Sequence, residues 1–197
     1  MSTVALPSGF MPATCRLTLS TNQRVNAAPF GGSEQAIDLL NDRWLLSCEL
    51  REGLFADGAW REAFIDSFRG QVNVSNLYHF ARPIPAGTVR GTLTLVASAA
   101  QGASIIRVTG CTPSDGSLLA GDMLGIGGLL LRVASNCAAV AGVITVPIVN
   151  RLRAAQSSGA AVTWNMPTAP FRLLSNTGVD YGSGRVSATS FEFGEAI

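Results

Sequence analysis

Short runs of valine, isoleucine, leucine and threonine, bounded by glycine, serine, asparagine or proline, recur along nearly the whole chain. They include "RLTLS" (Arg16–Ser20), "RWLLSCEL" (Arg43–Leu50), "VNVSNLYHF" (Val72–Phe80) and "TVRGTLTLVAS" (Thr88–Ser98). "SIIRVTG", "LLLRVAS", "VITVPIV", "AAVTWNM" and "FRLLS" follow, and "GRVSATSFEFGE" (Gly184–Glu195) comes last. Runs this short, rich in β-branched residues and punctuated by turn formers, read as strands. With so few helical segments between them, they cannot supply the crossovers of a βαβ fold. The expected class is therefore mainly β, a β-sandwich or barrel.

One segment breaks the pattern. In "DGAWREAFIDSFRGQ" the aromatics Trp60, Phe64 and Phe68 fall at i, i+4 and i+8, and Ala63 widens the same face. Asp57 is the expected N-cap and Gly70 the expected C-terminal cap, giving an amphipathic helix of about three to four turns. Arg61, Glu62, Asp66 and Arg69 are expected on its outward side.

Composition narrows the class of function. Hydrophobic residues make up 47% of the chain and charged residues 14%, with a net charge of +1. Apolar surface with so little charge to protect it suits a subunit covered by neighbours. The balance also lacks the basic footprint of a nucleic-acid binder. All 14 cations are arginine, so no lysine is present to serve a phosphate loop. The opening residues have neither a charged leader nor a continuous apolar stretch, and no secretory signal is expected. No apolar run approaches the ~20 residues of a membrane helix.

Chemistry-bearing residues form no constellation in the sequence. "GDMLGIGGLLLRV" holds Gly125 and Gly127, but Leu130 stands where the third glycine of a dinucleotide loop belongs, and a strand pattern follows. The stretch reads as a hairpin turning at Gly127–Gly128, since primed turns need positive φ. His79, the one histidine, sits between aromatics and reads as structural. "GGSEQ" around Ser33 lacks the closing glycine of a nucleophile elbow. Cys15, Cys48, Cys111 and Cys137 are far apart in sequence, which argues for reduced, mostly buried thiols and against a zinc or redox motif. Glu192 alternates with Phe191 and Phe193 and should face away from both rings. No catalytic residue, metal site or cofactor is expected, and the chain does not read as an enzyme.

Two stiff connectors, "RPIPAG" (Arg82–Gly87) and "MPTAP" (Met166–Pro170), bracket a stretch rich in Ala, Gly, Val and Ser. The simplest organisation is a discontinuous β-sandwich domain (1–86 and 168–197) with a small β-domain, barrel or sandwich, inserted at 87–167. On this division the insert should be separable.

Several segments together resemble tail proteins of long-tailed bacteriophages. "NAAPFGGSEQAIDLLNDRWLLSCEL" is similar to their opening part, in which a Gly-containing turn precedes a polar strand and an Asp-Arg-Trp run opens the next. "AFIDSFRGQVNVSNLYHFARP" is similar to their helix with its Arg-Gly-Gln junction into a strand. "LAGDMLGIGGLLLRVAS" and "GVITVPIVNRLRAAQSSGAAVTWNMPTAPFRLLS" resemble modules of tail and baseplate proteins, and "VSATSFEFGEAI" resembles a closing strand. The nearest likeness is to distal tail proteins, ring-forming subunits between tail tube and tip. It implies a β-sandwich with one helix forming a ring around the tail channel, and a variable outer domain that can carry receptor-binding parts. Here the insertion splits the first domain, a departure from two sequential domains.

The implied partners are further copies of the chain in a hexameric ring, the tail tube protein and tail-tip or hub proteins. DNA would pass through the channel without specific binding, and no membrane would be involved. The implied location is the virion tail, after synthesis in the host cytoplasm. Trp44, Trp60, Phe64, Phe68, Arg69, Phe191 and Phe193 are the structural or interface candidates. The alternatives are a tube or terminator subunit and a carbohydrate- or receptor-binding β-module. An envelope hydrolase is disfavoured by the lack of an acid–base pair.

Overall fold

The structure is a computed structural model that describes residues 2–27, 31–175 and 178–196. It is mainly β, of the β-sandwich class with one helix. The first of two six-stranded sheets is built around β5 (Arg43–Leu50). Trp44, Leu46, Cys48 and Leu50 of this strand are buried, and its other residues are more accessible, the period-2 pattern of a sheet with one covered face. On one side of β5 lies β2 (Thr14–Ser20) and on the other β18 (Thr189–Glu195), both antiparallel to it. Beyond β18 come β16 (Ala169–Leu173), β7 (Val74–Leu77) and β1 (Thr3–Val4), giving the order β1-β7-β16-β18-β5-β2. β7 is shorter than the Val72–Phe80 run, because the chain leaves the sheet after Leu77.

The second sheet follows the order β12-β11-β15-β8-β9-β14. Its strands are β8 (Leu93–Leu95), β9 (Ile105–Thr109), β11 (Met123–Ile126), β12 (Leu129–Arg132), β14 (Val143–Pro147) and β15 (Ala161–Thr163). Three two-stranded sheets complete the described residues: β3 (Gln23–Ala27) with β4 (Glu34–Asp38), β6 (Gly53–Leu54) with β17 (Arg185–Val186), and β10 (Ser117–Leu118) with β13 (Cys137–Ala138).

β11 and β12 form a hairpin with Ile126 opposite Leu129, so the loop is Gly127–Gly128. Their φ values are +54° and +78°, the left-handed pair a primed two-residue turn demands. A side chain at Gly128 would meet open space, so Gly128→Val isolates the backbone term. It should cost about 1–2 kcal/mol, read as a lower thermal midpoint, with no rise on adding nucleotide to either protein. A nucleotide-dependent rise would restore the phosphate-loop reading.

The helix α1 (Phe55–Ser67) begins three residues earlier than its sequence suggests. Leu54 is the N-cap, and Asp57, in the first turn, accepts the Leu54 N–H at 2.8 Å. Asp57 therefore satisfies the helix start from inside it, where its charge also suits the helix dipole. At the other end Phe68 is the C-cap, and Arg69 and Gly70 both turn left-handed. Asn73 closes this end by donating from Nδ2 to the Ser67 carbonyl at 2.8 Å. Arg61 does not face outward. It is 4% exposed and donates to the carbonyls of Arg51 (2.7 Å) and Ser187 (3.0 Å) and to Thr189 Oγ1 (3.2 Å). The strands beside the helix cover that flank too, so a single stripe of aromatics does not describe its buried surface.

Each large sheet has a hydrophobic cluster. The first contains Phe10, Trp44, Phe64, Phe68, Phe171, Phe191 and Phe193, but also Met123 and Leu130 from β11 and β12. The second is aliphatic, built from residues such as Leu93, Ile106, Leu124, Leu131 and Val146. The two sheets therefore meet through packed side chains.

Candidate functional site

Most of the candidate interface residues lie inside the protein. Trp44, Phe64, Phe68, Phe191 and Phe193 are buried in the first core, where Phe191 and Phe193 stack at 5.8 Å. Trp60 is half-buried against Gly9, and Arg69 is exposed. Glu192 is exposed, on the opposite face from both rings.

Trp44 sits where the two sheets join. Its Nε1 donates to the Leu130 carbonyl at 2.7 Å, and the Arg132 guanidinium lies 4.5 Å from its ring centroid. Asn150 holds the same place by donating to the Leu130 carbonyl (2.9 Å) and accepting the Arg132 N–H (3.1 Å). Glu195, 3% exposed, accepts the Trp44 backbone N–H at 3.0 Å and pairs with Arg153. Burial pushes the Glu195 carboxyl above its ordinary value, and the Trp44 N–H and Arg153 act against that rise. Sequence reading missed this junction because Glu195, Arg153 and Trp44 are brought together only by tertiary structure.

The hairpin β3–β4 has a different character. It extends from the end of the β2–β5 pair, where Ser20 faces Arg43, and every residue of both strands is exposed. These include Val25 and Ile37, with Leu39 just beyond. At its base Asp38 pairs with Arg151 at 3.1 Å, and Asp42 accepts the Asn22 N–H at 3.0 Å. The connection between its strands spans 28–33, and residues 28–30, part of the Gly-containing motif noted above, lie outside the described residues. A lone two-stranded hairpin is marginally stable in water, so an exposed one calls for a partner.

Among groups with potential chemistry, Cys15 and Cys48 face each other across β2 and β5, although 33 positions separate them in sequence (48 − 15). Among the described residues no group of three or more His, Cys, Asp or Glu is arranged to hold a metal. No helix there is long and apolar enough to cross a membrane. Trp164, the one tryptophan at 87–167, has Arg90 5.0 Å from its ring centroid and spends its N–H on the Gly91 carbonyl. Neither protein-family models nor curated proteins show any match to this chain.

Proposed function

We propose that the chain is a structural subunit of a bacteriophage tail, assembling into a ring at the distal end of the tail tube and linking it to tip and host-recognition proteins. The hairpin β3–β4 carries this reading. Projecting from the outer strand pair of the first sheet with all its strand residues in water, it suits an arm that lies on the next subunit. The sequence likeness to distal tail proteins points the same way. In this proposal 87–167 is the outer domain, the ring is hexameric, and the buried aromatics act by shaping the first sheet. A carbohydrate-binding module is less well supported, because Arg90 occupies a face of Trp164 that a sugar would need.

Replacing 23–38 with a short Gly/Ser turn tests the proposal. Neither six-stranded sheet includes these residues, so the shortened protein should keep its circular dichroism and cooperative melting. Wild-type protein should sediment as a closed ring with a central channel in electron micrographs, and the variant as monomer. Wild type that stays monomeric at high concentration and is absent from purified tails would sink the reading.

A further inference from the structure

We propose that Cys15 and Cys48 are a peroxide-responsive dithiol that closes into a disulfide across β2 and β5, with Cys15 attacking, Cys48 resolving and His79 assisting. This goes beyond the tail reading and does not depend on it.

The geometry begins with the register. Cys15 and Cys48 are direct partners on antiparallel strands, and both are free thiols. Opposed residues have Cα atoms roughly 4.5–5.5 Å apart, inside the roughly 4.4–6.8 Å span of disulfides. Both side chains meet the same core: Cys48 belongs to it, and Cys15 packs against it from a half-buried position. The sulfurs thus share one face of the sheet, the outer one reachable by a small oxidant.

The surroundings separate the two roles. Cys15 is drawn well below the ordinary thiol range, first by the Cys48 S–H, then by His79 and by the Phe80 backbone, with burial opposing. Cys48 is pushed up by sharing its proton with Cys15 and by burial. The His79 ring hydrogen-bonds Cys15, and its Nδ1 is buried with no hydrogen-bond partner among the described residues. Cys111 and Cys137, elsewhere in the fold, are raised by burial and serve as internal controls.

The chemistry balances with hydrogen peroxide as oxidant. The Cys15 thiolate attacks one peroxide oxygen and the O–O bond breaks. The departing hydroxide takes a proton and leaves as water, and Cys15 becomes a sulfenic acid. The Cys48 sulfur then attacks the Cys15 sulfur, the S–O bond breaks, and the Cys48 proton leaves with the hydroxyl as a second water. Two thiols lose two electrons in total to one peroxide. The new bond would stitch the outer strand β2 to β5 near the end of the pair remote from the β3–β4 arm.

The test treats the full-length protein with hydrogen peroxide, then blocks free thiols and maps peptides by mass spectrometry. The expected product is an intramolecular Cys15–Cys48 disulfide, with Cys111 and Cys137 still free. Its thermal midpoint should stand ~5–10 °C above that of the reduced protein. At about pH 5, Cys15 should react with iodoacetamide about tenfold faster than Cys111. Cys48→Ser should trap a sulfenic acid at Cys15 that dimedone labels, and His79→Gln should slow disulfide formation several-fold. The wild-type mapping stands even where a variant fails to fold. Folded wild type that forms no Cys15–Cys48 link, or in which the four thiols react at similar rates, overturns the proposal.

Discussion

Phe68→Ala should destabilise the protein by about 3–5 kcal/mol, a large share of the roughly 5–15 kcal/mol that holds a typical domain together. Phe68 has no exposed surface, meets Phe64 edge-on at 5.0 Å and lies 5.8 Å from Phe193. Truncation would leave a void between α1 and the middle of the first sheet, where the backbone cannot close in without breaking strand register. Chemical denaturation should show a much lower midpoint. Phe55→Ala, at the same helix's exposed start, should change stability by no more than about 1 kcal/mol. Comparable losses at the two positions would mean that the aromatic core is not what anchors the helix.

Arg153→Met should be as costly at neutral pH, about 3–5 kcal/mol, because it strands the Glu195 carboxylate in the interior. The pH dependence identifies the group responsible. Burial raises the folded-state pKa of Glu195 above its ordinary 4.5. Folded protein thus keeps a proton that the unfolded chain has already released. The stability this group contributes is fullest below 4.5 and is lost as pH rises through the folded value. Without Arg153, which works against the rise, the folded value climbs further and the loss continues to higher pH. The variant's deficit should therefore be largest near about pH 8 and shrink toward about pH 4 in melts across that range. A deficit independent of pH would show that Glu195 is not the stranded group.

Local chemistry was legible in the sequence and long-range meetings were not. The alternation of Arg43–Leu50 appears in the structure with the same bounds, because inward and outward positions of a half-covered strand differ in polarity at every step. Gly127–Gly128 was readable because positive φ selects glycine at both turn positions. Asp57 was misplaced because an acidic residue favours both the N-cap and the first turn. Arg61 was misread because helix periodicity records hydrophobicity, whereas this guanidinium is buried against backbone carbonyls that no sequence pattern marks. Cys15 and Cys48 looked scattered for a similar reason: strand register, which nothing in their spacing reveals, sets them opposite each other. Of the β3–β4 hairpin only a Gly-containing turn and one polar strand were suggested, by the family likeness; the pairing was not legible, since both strands are too polar to announce a buried face.

The position of β18 has a consequence for how the protein is made. This strand occupies the middle of the first sheet, between β16 and β5, yet it follows β5 only after α1 and all of 87–167. While the ribosome is still reading that stretch, β5 can pair with β2 but its other edge is open, and Phe64 and Phe68 have no Phe191 or Phe193 to meet. A half-built sheet with an apolar face and a free edge is a template for sticking to another nascent chain. Slow translation through 87–167 should therefore lengthen the vulnerable interval. The yield of soluble protein would then depend on elongation rate and chaperone supply more steeply than its final stability suggests.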